Sequence, residues 1–297
     1  MAHCTTYGIL ARDGRSVAVL RRGPTRSVLL LRWWLGSDEI EQGQWLRAQV
    51  AGERADLSPD GTHLIYLAGD WRPSREYRTY TVISRVPFFT ALALWPMGDT
   101  WYGGGLFATR RHVLLHHRHD KMKMAPGFAL PKGWRIEQAA LHCSARRPES
   151  CYGCVIERAR LIRDGWLAAD GITQRDVHGS LVAIDPPLTY SRLQPGGTTW
   201  LHWLTHGLSA ANTPSHLHSL RLANSNGRPL RQIDGADWGD FAPGGDLLFG
   251  HGGCLYRLPE TRVQTFAREP LEDARFIADL RPLSFRRREP TREAMRW

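Results

Sequence analysis

Short apolar runs broken by Gly- and Pro-containing turns dominate the chain, and runs at helical spacing are scarce. Residues 28–34 (VLLLRWW) make a continuous apolar strand pattern. Residues 77–85 (YRTYTVISR) alternate, with Tyr77, Thr79, Thr81, Ile83 and Arg85 on one face and Arg78, Tyr80, Val82 and Ser84 on the other, which is the period of a strand. Residues 219–223 run into Asn224-Ser225-Asn226-Gly227, a hairpin signal, and residues 253–258 form a further strand stopped by Pro259. Residues 40–50 (IEQGQWLRAQV) come nearest to a helical turn, which Gly43 weakens.

The turns recur. Asp56-Leu57-Ser58-Pro59-Asp60-Gly61 precedes one apolar run, and Asp240-Phe241-Ala242-Pro243-Gly244-Gly245 precedes another. Proline presets φ at the first turn position and glycine accepts positive φ near its end, so the chain can reverse into an antiparallel partner. Weaker copies lie at residues 11–15, 162–165 and 194–197, and a less regular one at Gly103-Gly104-Gly105. Most gaps between these turns span 44 to 60 residues, with one of 32. A four-stranded propeller blade takes roughly 40 to 50 residues. Six turns therefore predict an all-β fold, a single propeller of about six four-stranded blades, with five or seven also compatible because of the short gap. The LSPDG turn and the strand after it resemble TolB-like and WD40-like propeller blades. The resemblance covers a turn and two strands per blade and implies architecture, not chemistry. No blade carries the full Gly-His plus Trp-Asp pair, so this is not a regular WD40 array. The expected propeller spans residues 1–285. Residues 274–280 or 283–285 are expected to complete a sheet begun by residues 7–10, and residues 286–297 (RRREPTREAMRW) to form a charged, mobile tail.

Composition adds four points. Twelve tryptophans suit half-buried pleated surfaces. The longest apolar stretch, residues 86–97, is too short to span a membrane and holds two prolines, and residues 1–15 lack the apolar core of a signal peptide. Five cysteines without framework spacing fit a reducing, cytoplasmic setting. A net charge of +10 makes nucleic acid a plausible partner, although the arginines are spread along the chain.

Candidate chemistry is sparse. Cys151-Tyr152-Gly153-Cys154, with His142 and Cys143, holds residues that zinc could take; a loop with two reduced cysteines is the simpler reading, since there is no second CxxC. His112, His116, His117 and His119 lack a third placed metal ligand and read as a solvated strand end. There is no GxSxG elbow and no phosphate-binding loop; Gly103–Gly105 serves close backbone approach instead. In residues 95–102 (WPMGDTWY), the rings of Trp95, Trp101 and Tyr102 could stack on a base, a sugar or a partner side chain, but a packed inter-blade corner is the preferred reading. The irregular stretches 116–130 and 143–154 are the first candidates for a binding surface. The chain is thus expected to be a non-enzymatic scaffold, monomeric by itself and without a cofactor. It would bind a partner protein through Trp71, Arg72, Arg85, Trp101, Tyr102, Lys121, Lys123, Arg146 and Arg147. Nucleic-acid binding by a basic face is the alternative, and a hydrolase or lyase with a channel-centred site a third.

Overall fold

The computed structural model describes residues 4–23, 26–139, 155–169, 174–177, 181–208, 216–266 and 274–297. Among these the chain is mostly strand, arranged in five sheets, with one α-helix, α1 (Val155–Arg163). Contacts divide it into two compact units, Ile9–Arg160 with Leu283–Trp297, and His3–Gly8 with Leu161–Pro282.

In the first unit, β1 (Thr5–Leu10), β2 (Ser16–Arg22), β3 (Val28–Trp34) and β4 (Glu39–Leu46) follow one another across a sheet, with the unit boundary falling inside β1. The next sheet, β5 (Gln49–Leu57), β6 (His63–Gly69), β7 (Thr79–Arg85) and β8 (Ala91–Pro96), repeats that order with every pair antiparallel. The third holds β9 (Gly105–Phe107), β10 (His112–Leu115) and β11 (Arg135–Gln138). Here β11 lies parallel to β10. A parallel neighbour needs a crossover rather than a hairpin, and residues 116–134 supply it.

In the second unit, β12 (Leu167–Ala168) and β13 (Gln174–Val177) both pair with the long β14 (Leu181–Leu193). The sheet continues through β15 (Trp200–Leu208), β16 (His216–Ala223) and β17 (Pro229–Asp234). The last sheet is β18 (Ala236–Phe241), β19 (Leu247–His251), β20 (Cys254–Leu258) and β21 (Arg275–Asp279). Five sheets of mostly four strands in sequential order are blade-like units.

The Pro/Gly turns share a backbone geometry. The amide of Gly14 donates to Ala11 O, Gly61 to Ser58 O, Gly197 to Gln194 O and Gly245 to Ala242 O, at 2.9 to 3.1 Å. In three of them the first residue's amide also closes on the carbonyl five residues ahead, as Ala11 on Ser16, Ser58 on His63 and Gln194 on Thr199. Positive φ at Gly14, Gly61 and Gly245 permits the reversal. The turn expected at residues 162–165 is different: it ends α1, with the Gly165 amide on Ile162 O and the Trp166 amide on Leu161 O.

Three further expectations are corrected. Residues 40–50 are not helical but span β4 and the start of β5. Gly43 sits where the β3–β4 register shifts, and a Cβ there would lie 1.7 Å from Pro87 O, so close backbone approach explains the glycine. The alternating strand starts at Thr79, and all of its residues but Tyr80 and Arg85 are buried, because both faces of the sheet are covered. Residues 274–280 do not join residues 7–10: β21 pairs with β20, whereas β1 lies beside β2.

The segment 286–297, expected as a charged tail, makes specific contacts with the first unit although most of its residues are exposed. Arg288 donates to Gln42 O, Gln44 Nε2 donates to Arg288 O at 3.0 Å, and Arg85 pairs with Glu293 at 2.9 Å. Ala294 is buried, and the Trp297 ring lies 4.4 Å from Trp134. Tryptophans also fill the cores: Trp33, Trp95, Trp166 and Trp238 are fully buried.

Candidate interaction face of the first unit

The β8–β9 connection leaves the core at Trp95, which is buried against Ile65, Ile83 and Phe107. Gly98 then takes a φ of +90°, and the Asp99 carboxylate accepts from the amides of Trp101 (3.0 Å) and Tyr102 (3.4 Å). Arg54, on β5, donates to the carbonyls of Thr100 and Tyr102. The loop is therefore fixed at its backbone while Trp101 stands 70% exposed. Tyr102 is partly exposed and tilts over His116 at 5.2 Å. The packed corner thus holds for Trp95 and fails for Trp101. Gly103 and Gly104 have positive φ, and a Cβ on Gly104 would lie 2.1 Å from Arg54 O, the close approach the glycines suggested.

Beneath this loop the expected solvated strand end holds for the exposed His119 and fails for His117. His117 is buried; its Nδ1 donates to Lys121 O at 3.0 Å, and its Nε2 accepts from Thr81 Oγ1 at 2.8 Å, which in turn accepts from the Gly104 amide. This pattern accommodates a neutral imidazole, the form that burial favours. Burial pushes both His116 and His117 down to about 4. His112 Nε2 lies 3.1 Å from Glu137, on the parallel neighbour strand. Their neighbours Met122, Met124 and Leu130 pack onto the core, which turns residues 116–121 into a short 3-10 turn and loop. A cleft of about 440 Å³ opens between Tyr102, His116, Arg118, Asp120 and Gln138. Among the described residues no group of three or more His, Cys, Asp or Glu side chains could hold a metal.

The β6–β7 connection carries the second exposed tryptophan. Asp70 is buried and accepts from Arg72 (2.8 and 2.5 Å) and Arg75 (2.6 Å), and these bonds hold its carboxyl well below the ordinary carboxylate range. Arg72 also reaches Arg47 O. Trp71, 48% exposed, lies with its indole over Gly69, where a Cβ would meet the ring at 2.3 Å. A recess of about 230 Å³ lies beside it and extends to Arg54 and Thr100. Trp71, Arg72, Trp101 and Tyr102 therefore belong to one face linked through Arg54. Lys121 and Lys123 lie on the loop beside the histidine cleft. Arg85 does not join them, being paired with Glu293. Arg146, Arg147, His142, Cys143, Cys151 and Cys154 lie outside the described residues.

Sequence reasoning missed Arg54 and Asp70. The signal for Asp70 was present as an acid followed by Arg72 and Arg75 in one short loop; nothing local marks Arg54, whose role depends on two carbonyls more than forty residues ahead. Compared with models of known protein families and with curated proteins, the sequence matches none.

Proposed function

We propose that the five sheets are blades of a β-propeller and that the chain is a non-enzymatic platform, binding a partner protein through the Trp71–Trp101 face. The observation that carries this reading is the exposure of Trp101 on a backbone pinned by Asp99 and Arg54. A large ring held ready at a surface loses little conformational freedom on binding, and tryptophan is enriched among residues that dominate interface energetics. Lys121 and Lys123, on the loop that His117 anchors beside the Tyr102 cleft, would steer an acidic surface toward it.

The test is affinity capture from the native cell with the wild-type chain and with Trp101→Ala. A protein recovered reproducibly by the wild type and lost with the variant supports the reading, with affinity lowered about 30-fold or more. The same protein recovered equally by both removes the face from consideration. Recovery of nucleic acid alone, with affinity falling steeply as salt rises, favours the basic-face alternative suggested by the charge of +10.

A further inference from the structure

We propose that the recess beside Trp71 binds a nucleobase, free in a nucleotide or within a single strand. This goes beyond the partner-protein reading and stands without it. The recess, at about 230 Å³, is smaller than the roughly 300–1,000 Å³ of pockets that enclose a whole drug-sized ligand, so it has room for one ring. One wall is the Trp71 indole, which lies against the Cα of Gly69 and leaves half its surface open. Stacking on such a ring is available to every base because each presents a π-face.

The remaining lining suits a heterocycle edge. Gln49 offers a donor and an acceptor, and Glu53 an acceptor. Thr79 closes the floor of the recess with its hydroxyl buried, so the polar contacts come from Gln49 and Glu53. Phosphate has a place as well. Arg72 and Arg75 share the single carboxylate of Asp70 and remain 46% and 51% exposed, so the loop that carries Trp71 keeps a positive excess. That excess separates a nucleotide from a neutral sugar, which could also stack on indole but has no charge to match.

The experiment uses the full chain, with AMP and UMP titrated calorimetrically and a short fluorescein-labelled oligothymidylate followed by polarisation. The wild type is expected to bind at least one of these probes, weakly for the nucleotides and more tightly for the strand if several phosphates engage. Trp71→Ala should weaken binding roughly ten- to hundredfold, and Trp71→Phe should restore it to within a few-fold. Gln49→Ala, at an exposed position on the wall of the recess, should weaken it several-fold, and it remains informative if Trp71→Ala fails to fold. Nucleotide binding alone assigns the site to a free ligand, and oligomer binding that depends on Trp71 assigns it to a strand; both support the proposal. Absence of binding at millimolar nucleotide together with absence of oligomer binding overturns it. So does binding indifferent to both Trp71→Ala and Gln49→Ala, or equal displacement by a neutral methyl glucoside. Partner capture through Trp101 is read separately, so either reading can fail alone.

Discussion

Two tryptophans six positions apart show what a single residue's surroundings decide. Trp95 and Trp101 both belong to an aromatic stretch that looks uniform in sequence, yet one is 1% exposed and the other 70%. Trp95→Ala is expected to cost about 3–5 kcal/mol, measured by denaturant unfolding. Trp101→Ala should stay within about 0.5 kcal/mol of the wild type. The buried histidines make a second case. His63 has both ring nitrogens without a partner and sits under Trp134 (5.4 Å) and Trp297 (5.9 Å), with Arg85, Asp60 and Arg110 near it. Burial, reinforced by Arg85, pushes it down to about 4, and burial does the same to His116 and His117. Their folded values lie below the ordinary 6.5, so the unfolded chain takes up protons first. Stability is therefore flat above about pH 6.5 and falls as pH drops toward 4, by on the order of 3 kcal/mol each for His63 and His117. Melting temperatures across that interval check this, and His63→Phe should flatten part of the slope.

At the scale of elements, what was legible was what is local. The LSPDG, APGG, QPGG and ARDG turns close with the same amide-to-carbonyl bond because proline, glycine and a short polar side chain dictate it over four residues. Continuous apolar runs such as 28–34 became strands covered on both faces. Residues 162–165 carry a similar Asp-Gly signal but end α1, since Val155–Arg163 precedes them with helical pairing. Gly43 was misread for a related reason: a glycine that weakens a helix and one that lets Pro87 O approach look the same in sequence. Gly43→Ala should cost about 1–3 kcal/mol, because the obstruction is backbone and cannot rotate away. Denaturant midpoints at unchanged slope would show it; a neutral result would mean that the strand pair shifts to accept the methyl group. The face around Trp71 was half legible: its exposed aromatic and basic residues could be named, but Arg54, which ties the two loops together, could not.

For the whole molecule, residues 286–297 were expected to form a charged tail, and together with residues 283–285 they cluster with the first unit. Charges dominate the composition of this segment, but Phe285 packs against Trp45 and beneath Arg47, and Ala294 is 1% exposed. Removing residues 283–297 should lower the melting temperature and expose Trp134 to fluorescence quenchers. A truncated chain with unchanged melting and quenching would show these contacts to be dispensable.

The route of the polypeptide sets a schedule. The first unit is begun by residues 9–160 and finished only by residues 283–297, after the whole second unit has been laid down in sequence. During synthesis, Trp134 and His63 must wait uncovered for Trp297, and contacts this distant in sequence form late and slowly. The nascent chain thus carries an aromatic surface that stays open until residues 283–297 reach it.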